Sequence, residues 1–294
     1  MSVLHQNEPP LVLAGPILRR LEARRLVMWL ATRTAVRARI TLDTGEGEPW
    51  VHELQPGSAC QQLMAGEHLH VLLIDLALPQ DLPAHRWVGC TVALAPLHAD
   101  GTPGKPDWQD WRSWAPDLCY PGRSTPGFVY QPCIGALLHG SCRKPHHAEG
   151  DGLVVADRLL MDRTKGLRKA ARQPTVPPGS DDSAWPALLL LTGDQIYADD
   201  VAGPMLRAIH QLIPRLGMPV EQLQGIEAAG VSNADDLYRH PDTYYRREKL
   251  LPSHKRNRAL VEVLFGGVEK PVFTTDSAHN HLITLAEVLA MYLL

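Results

Sequence analysis

The sequence predicts an α/β fold preceded by an all-β sandwich, and two patterns along its 294 residues carry that prediction. In roughly the first third, apolar residues recur with a period of two between clusters of turn-forming residues. That spacing is typical of the short antiparallel strands of a sandwich. From residue 134 onward, an apolar run, a helix-like stretch and a second apolar run follow one another, which is the order of a β-α-β unit. We therefore expect a sandwich domain over residues 1–130 and a second domain over residues 131–294.

Four strands are predicted in the first domain. Residues 36–42 give the clearest one, because apolar side chains there alternate with arginine and threonine. A turn-forming stretch, residues 43–47, follows it directly. The other predicted strands cover residues 25–34, 68–76 and 87–95. Residues 98–127 are rich in Pro, Gly, Asp and Trp without periodicity, which predicts a long irregular connection.

The β-α-β unit of the second domain consists of residues 134–139, a helix over 153–170 and a strand over 187–191. The last of these is a continuous apolar run bounded by turn signals, as expected for a central parallel strand that is buried on both faces. In open α/β sheets, ligands bind at the carboxyl ends of the strands, so we expect a functional site just after these two strands. The helices predicted beyond it cover residues 201–216, 233–239, 242–250 and 281–294.

Composition excludes several classes of protein. The formal net charge of −3 and a pI near 6.5 argue against a dedicated nucleic-acid binder. No apolar run approaches the roughly 20 residues that a membrane helix requires. The five cysteines are an odd number, and the first residues lack the features of a signal peptide, so we expect reduced thiols and a cytoplasmic location. The helical pattern is still running at the last residue, so we expect the sequence to stop inside an element.

Three side chains that follow the two strands have the chemistry of metal ligands. Cys142 comes after the first strand, and Asp194 and Tyr197 come after the second. A carboxylate binds hard cations, whereas a thiolate or a phenolate suits iron. Each residue also has a purely structural interpretation: Asp194 as a turn cap, Tyr197 as a core side chain and Cys142 as a small buried hydrophobe. Asp200 has a similar choice between adding acidic character and capping the next helix.

Two further groups of polar residues have more than one interpretation. Arg143 and His146 lie in the loop after the first strand, where they could bind a phosphate or form a solvated loop. His279 and His281 look like a metal-binding pair, but a spacing of two puts them on different faces of a helix. A helix N-cap at residues 276–277 is the more economical interpretation of that segment.

The irregular connection carries three tryptophans, Trp108, Trp111 and Trp114. They can pack the loop against the sandwich, or they can form a surface that stacks on a sugar or binds a partner. The second interpretation gives an alternative function for the chain, a non-catalytic binding module built on the sandwich and this Trp-rich loop.

Three motifs together resemble the alkaline phosphatase D (PhoD-like) branch of the calcineurin-like metallophosphoesterases. They are Leu-His-Gly-Ser-Cys-Arg at 138–143, Leu-Leu-Leu-Thr-Gly-Asp-Gln-Ile-Tyr-Ala-Asp-Asp at 189–200 and, more weakly, His-Asn-His-Leu-Ile-Thr-Leu-Ala-Glu at 279–287. The resemblance implies a metallophosphoesterase (αββα) domain after the sandwich. It also implies hydrolysis of a small phosphate monoester or diester at a two-metal site.

By this resemblance, Cys142, Asp194 and Tyr197 are ligands of iron, and Asp194 bridges to a calcium ion. Arg143 and His146 are the candidates for binding the substrate. No counterpart of the family's later Gly-Asn-His-Asp or Asp-His-Glu motifs is found in the sequence. We therefore expect the first part of such a domain, which lacks half of the metal site and is inactive if that half is essential.

Overall fold

A computed structural model describes residues 8–97, 106–142, 150–172, 185–199, 201–226, 230–250 and 279–294. These residues divide into two compact units. The first lies within 8–141 and 150–192, and the second comprises Cys142 and the described residues from Gly193 onward. Residues 131–141, which were expected to open the second domain, belong to the first unit. The predicted boundary between residues 130 and 131 stays a prediction.

Two antiparallel sheets form the front of the first unit. Their strands are β1 (Val12–Glu22), β2 (Arg25–Thr32), β3 (Val36–Asp43), β4 (Trp50–Leu54), β5 (Cys60–Gly66), β6 (Leu69–Ala77), β7 (Trp87–Pro96), β8 (Gln109–Asp110) and β9 (Gly127–Val129). One sheet has the order β1-β2-β6-β5. The other has the order β4-β3-β7-β8, with β9 also paired to β7. The mixed α/β class and the antiparallel front region are confirmed, and their arrangement is consistent with a sandwich.

Strand β3 explains how the sequence pattern produces this core. Val36, Ala38, Ile40 and Leu42 are fully buried, whereas Arg39 faces outward and its Nε donates to Glu53 Oε1 on β4 at 2.9 Å. Apolar side chains from both sheets join these residues in one buried cluster, as the inner faces of a sandwich do. The four predicted strands are confirmed as β2, β3, β6 and β7. The strands β1, β4, β5, β8 and β9 were not predicted.

The predicted irregular connection contains little regular structure among its described residues. Besides β8, it has one short helix, α1 (Trp111–Trp114), and a 3-10 turn at Pro116–Leu118. Helix α1 begins after Asp110, whose carboxylate accepts a hydrogen bond from the amide of Arg112 at 3.0 Å.

The β-α-β unit is present as β10 (Leu137–Gly140), α2 (Gly152–Arg172) and β11 (Leu188–Leu191), and β10 pairs with β11 in parallel. The expectation that β11 is buried on both faces is wrong, since Leu189 is 49% exposed and its two neighbours in the strand are exposed as well. The physical reason is that β10 and β11 form a sheet of two strands. No further described strand extends this sheet, so the leucines lack the cover that a central strand receives.

The second unit is mainly helical, with α3 (Gly203–Arg215), α4 (Ala234–Arg239) and α5 (Leu285–Leu293). The helix predicted over residues 242–250 is reduced to a 3-10 turn at Arg247–Leu250. No helix among the described residues has the length and apolar character needed to span a membrane.

Helix α5 begins later than its predicted start at residue 281. Thr284 is the N-cap, and it forms a capping box with Glu287, in which each side chain bonds to the backbone of the other. The expected N-cap at residues 276–277 is therefore wrong for this helix, and those two residues lie outside the described part of the chain.

Candidate functional site

The parallel pair β10–β11 aligns the two motifs that were expected to carry the chemistry. Its register pairs His139 with Leu190 and Gly140 with Leu191, so the two strands end side by side. Thr192, the next residue, closes the pair: its amide donates to Gly140 O at 3.1 Å, and its hydroxyl lies 3.0 Å from His139 Nε2. The chain therefore leaves both strands at one edge of the sheet, which is where α/β folds bind their ligands.

The three candidate ligands follow that edge directly. Cys142 comes two residues after β10, and its side chain is exposed. Asp194 comes three residues after β11 and is also exposed, whereas Tyr197 is half-buried. The candidate substrate-binding residues Arg143 and His146 lie outside the described residues.

The segment after β11 makes its own contacts within the second unit. The side-chain amide of Gln195 donates to Gly193 O at 2.8 Å. Farther on, the Leu282 amide donates to Ala198 O at 2.9 Å, and His281 Nε2 lies 3.3 Å from Asp199 Oδ1. Segment 279–282 therefore packs beside the residues that follow Tyr197. His281 contacts Asp199 there and does not lie in a helix.

The capping alternative for Asp200 and the environment of His279 are also decided for the described part of the chain. Helix α3 has Ala202 at its N-cap, so Asp200, which itself lies outside the described residues, is not the cap of this helix. The His279 backbone carbonyl accepts from the Arg247 amide at 3.0 Å.

The donor types at the edge of the sheet fit a metal ion that prefers oxygen and sulfur, because they comprise a thiol, a carboxylate and a phenol. Within the described ranges, no group of three His, Cys, Asp or Glu side chains is placed to hold an ion. The predicted set contains only two side chains of these types, since its third donor is the Tyr197 phenol. The residues thus fit in chemistry, and their role as ligands stays a prediction.

The three tryptophans of the irregular connection are engaged in packing. Trp111 is only 5% exposed, and Trp114 packs against the sandwich core. The Trp108 ring is covered by the Arg39 guanidinium, whose central carbon lies 4.1 Å from the ring centroid. The stacked cation occupies one face of this ring. These contacts favour loop packing and lend no support to the binding-module alternative.

The second unit contains a buried polar network that the sequence did not predict. Its centre is the Glu287 carboxylate, which is fully buried. Oε1 accepts from His210 Nε2 at 2.7 Å and from Arg247 Nη2 at 2.6 Å. Oε2 accepts from the amides of Ile283 at 2.8 Å and Thr284 at 3.0 Å. The carboxylate therefore has four donors, which compensate its removal from water.

The same contacts set the charge state of Glu287. Burial alone would raise the pKa of this carboxyl, but the bonds from His210 and the charge of Arg247 outweigh it and lower the pKa from 4.5 to about 2. The Glu287 side chain is therefore ionised across the neutral range, and it balances the positive charge of the buried Arg247.

His210 extends the network to two tyrosines. Its Nδ1 lies 2.9 Å from the Tyr244 hydroxyl, and its ring stacks on Tyr238 with centroids 4.4 Å apart. Both neighbours are satisfied when Nε2–H donates to Glu287 and Nδ1 accepts a hydrogen bond from the Tyr244 hydroxyl. Burial raises the pKa of both phenols, so they remain protonated donors. The network therefore links α3, α4, the 3-10 turn at Arg247–Leu250 and α5.

No protein-family model matches the chain, and no curated protein matches its sequence. The likeness to metallophosphoesterases is therefore carried by the three motifs alone.

Proposed function

We propose that this chain takes part in the metal-dependent hydrolysis of phosphate monoesters or diesters, at the carboxyl edge of β10 and β11. The observation that carries the proposal is the parallel register of these strands, because it aligns the two motifs that contain Cys142 and Asp194. A metallophosphoesterase domain around this pair is part of the same proposal.

In this proposal Cys142, Asp194 and Tyr197 bind iron, and Asp194 also binds a calcium ion. Metal ions bound there would polarise the phosphate and lower the pKa of a bound water molecule. The task of the protein is to present a thiolate, a carboxylate and a phenolate from two adjacent strand ends. Arg143 and His146 would hold the phosphate by charge-assisted hydrogen bonds.

The hydrogen bonds at the strand ends support a fixed arrangement of this kind. Thr192 ties β11 to Gly140 and His139, so the residues after each strand start from one defined edge.

Metal content tests the proposal. The unchanged chain and three variants, Cys142→Ala, Asp194→Asn and Tyr197→Phe, are loaded with iron and calcium, desalted and analysed by mass spectrometry. Asp194→Asn should lower both metals, because the carboxylate contacts both ions, whereas the other two variants should lower iron alone. Cys133→Ala and Asp162→Asn change an exposed thiol and an exposed carboxylate elsewhere and should leave the metal content unchanged.

The same samples are assayed with an aryl phosphate monoester and with the matching diester, and the ratio of the two rates identifies the preferred substrate class. An unchanged chain that retains neither metal, or equal retention in all variants, would overturn the assignment of these ligands.

A further inference from the structure

We propose that Glu287 is a positioning residue for the segment that carries Tyr197. Acting through Arg247, it holds the backbone of residues 281–282, which in turn holds residues 198–199. The link to a ligand rests on the proposed function, whereas the hydrogen bonds that form the chain of contacts do not. All of them lie within the second unit.

The first step is the ion pair between Glu287 and Arg247. Both side chains are fully buried, and Arg247 Nη2 lies 2.6 Å from Oε1. The attraction between two buried charges offsets their loss of water only when their geometry and hydrogen bonds are good. Both Nη atoms of Arg247 have partners, whereas its Nε is buried without one. The bonds from Ile283, Thr284 and His210 fix the carboxylate, so the carboxylate fixes the guanidinium.

The second step leads from Arg247 to segment 279–282. Its Nη1 donates to the His281 carbonyl at 2.7 Å, and its amide donates to the His279 carbonyl at 3.0 Å. Nearby, the Tyr245 amide donates to Asn280 Oδ1 at 2.7 Å. Because a guanidinium is planar and its donors form a rigid fork, placing one nitrogen on Glu287 sets the direction of the other toward His281.

The third step leads from this segment to the residues after Tyr197. The Leu282 amide donates to Ala198 O at 2.9 Å, and His281 Nε2 lies 3.3 Å from Asp199 Oδ1. Ala198 is bonded directly to Tyr197, so a shift of Leu282 moves the backbone that carries the phenol. Glu287 therefore acts on Tyr197 indirectly, through Arg247 and Leu282, and the proposal requires no contact between Glu287 and the Tyr197 ring.

Glu221 provides a matched control. Its carboxylate accepts from the amides of Leu285 at 3.0 Å and Ala286 at 2.8 Å, so it binds the start of the same helix, α5. Glu221→Gln removes a carboxylate charge from that helix start and leaves the Arg247 fork in place. Glu287→Gln removes the charge that orients the fork.

The deciding measurement is the hydrogen-exchange rate of the Leu282 amide, recorded by NMR on the full chain. It is expressed as a ratio to the exchange rate of the Ile209 amide in α3, because exchange at Ile209 reports the stability of the unit. Glu287→Gln should raise this ratio about tenfold over the unchanged chain, and Glu221→Gln should leave it unchanged. Equal ratios in the two variants would overturn the proposal.

Arg247→Lys keeps the charge but lacks the fork, so it should also raise the Leu282 ratio. This variant tests the proposal if Glu287→Gln unfolds the second unit, so that α3 is no longer protected from exchange and the Leu282 ratio cannot be measured. An unchanged ratio in Arg247→Lys would then overturn the proposal.

Iron(III) alone is the probe for the link to the ligand. A bond between iron(III) and a tyrosinate absorbs visible light, so the unchanged chain should show a band that Tyr197→Phe abolishes. Glu287→Gln should need several-fold more iron(III) for half of that band, whereas Glu221→Gln should titrate like the unchanged chain. A band absent from the unchanged chain overturns the proposed function at Tyr197, and the exchange ratio still decides the positioning by itself. Identical titrations of the two glutamine variants would overturn the link to Tyr197.

Discussion

Replacing Glu287 with glutamine is expected to destabilise the second unit by about 3 kcal/mol. Two considerations lead to that magnitude. Removing one partner of a buried ion pair costs about 3–5 kcal/mol, because the other charge is left uncompensated. The pKa of Glu287, lowered from 4.5 to about 2, corresponds to about 3 kcal/mol at about 1.36 kcal/mol for each pH unit.

The pH dependence has a definite sign. The pKa of Glu287 is lower in the folded chain than in the unfolded chain, so its ionised form stabilises the fold. This contribution is fully present above about pH 4.5 and is lost as the pH falls toward about 2. Glutamine does not titrate, so the variant should start less stable at pH 7 and lose less stability on acidification.

The assay has to report on the correct unit. All seven tryptophans lie at or before Trp185, within the first unit, so their fluorescence follows the sandwich side of the chain. Hydrogen exchange of peptides from α3 and α5 in increasing urea follows the second unit. Glu221→Gln, which removes a carboxylate from the start of α5, should cost only about 1 kcal/mol. The reasoning is refuted if both variants lose the same stability, or if Glu287→Gln retains the acid dependence of the unchanged chain.

Two further predictions concern the first unit. Gly127→Ala should destabilise it by about 3 kcal/mol, because the added Cβ would lie 2.2 Å from Val88 O, a backbone atom that cannot move aside. Urea unfolding followed by tryptophan fluorescence measures the loss. Gly135→Ala is the control, since open space surrounds its new atom, and an equal loss in both variants would contradict the prediction. In the folded chain, Cys90 should react with a thiol reagent far more slowly than Cys133, because burial raises the pKa of Cys90 to about 12 whereas Cys133 is exposed. Peptide mass spectrometry with and without urea measures both rates, and similar rates in the folded chain would contradict the prediction.

The elements that the sequence predicts well are those whose pattern reflects a single buried face. Strand β3 alternates because one side of it faces the sandwich core, and α3 shows helical spacing for the equivalent reason. Strand β5 was missed because it lies at a sheet edge, where Leu63 and Met64 are exposed and the alternation is lost. Edge position is a property of the sheet as a whole, and no local pattern reveals it.

The candidate site divides in the same way. The positions of Cys142 and Asp194 after two apolar runs were readable, because strand ends follow from local pattern and parallel pairing follows from the helix between them. The contact between His210 and Glu287 was not readable, since 77 residues separate them and neither carries a signal of burial. Glu287 did belong to a quoted motif, and its place three residues after Thr284 is a capping-box signature that could have placed the start of α5.

The apolar run of β11 predicts burial, but its leucines are exposed, and a comparison of two leucines tests what that exposure means for stability. Leu189 in β11 is 49% exposed, whereas Leu72 in β6 is fully buried. Leu72→Ala should therefore cost about 2–5 kcal/mol, because it leaves a cavity in the core, and Leu189→Ala should cost about 1 kcal/mol or less. Unfolding in urea, followed by tryptophan fluorescence, compares the two variants directly. If Leu189→Ala costs as much as Leu72→Ala, another surface covers β11 in solution, and the burial expected from its four consecutive leucines would be correct after all.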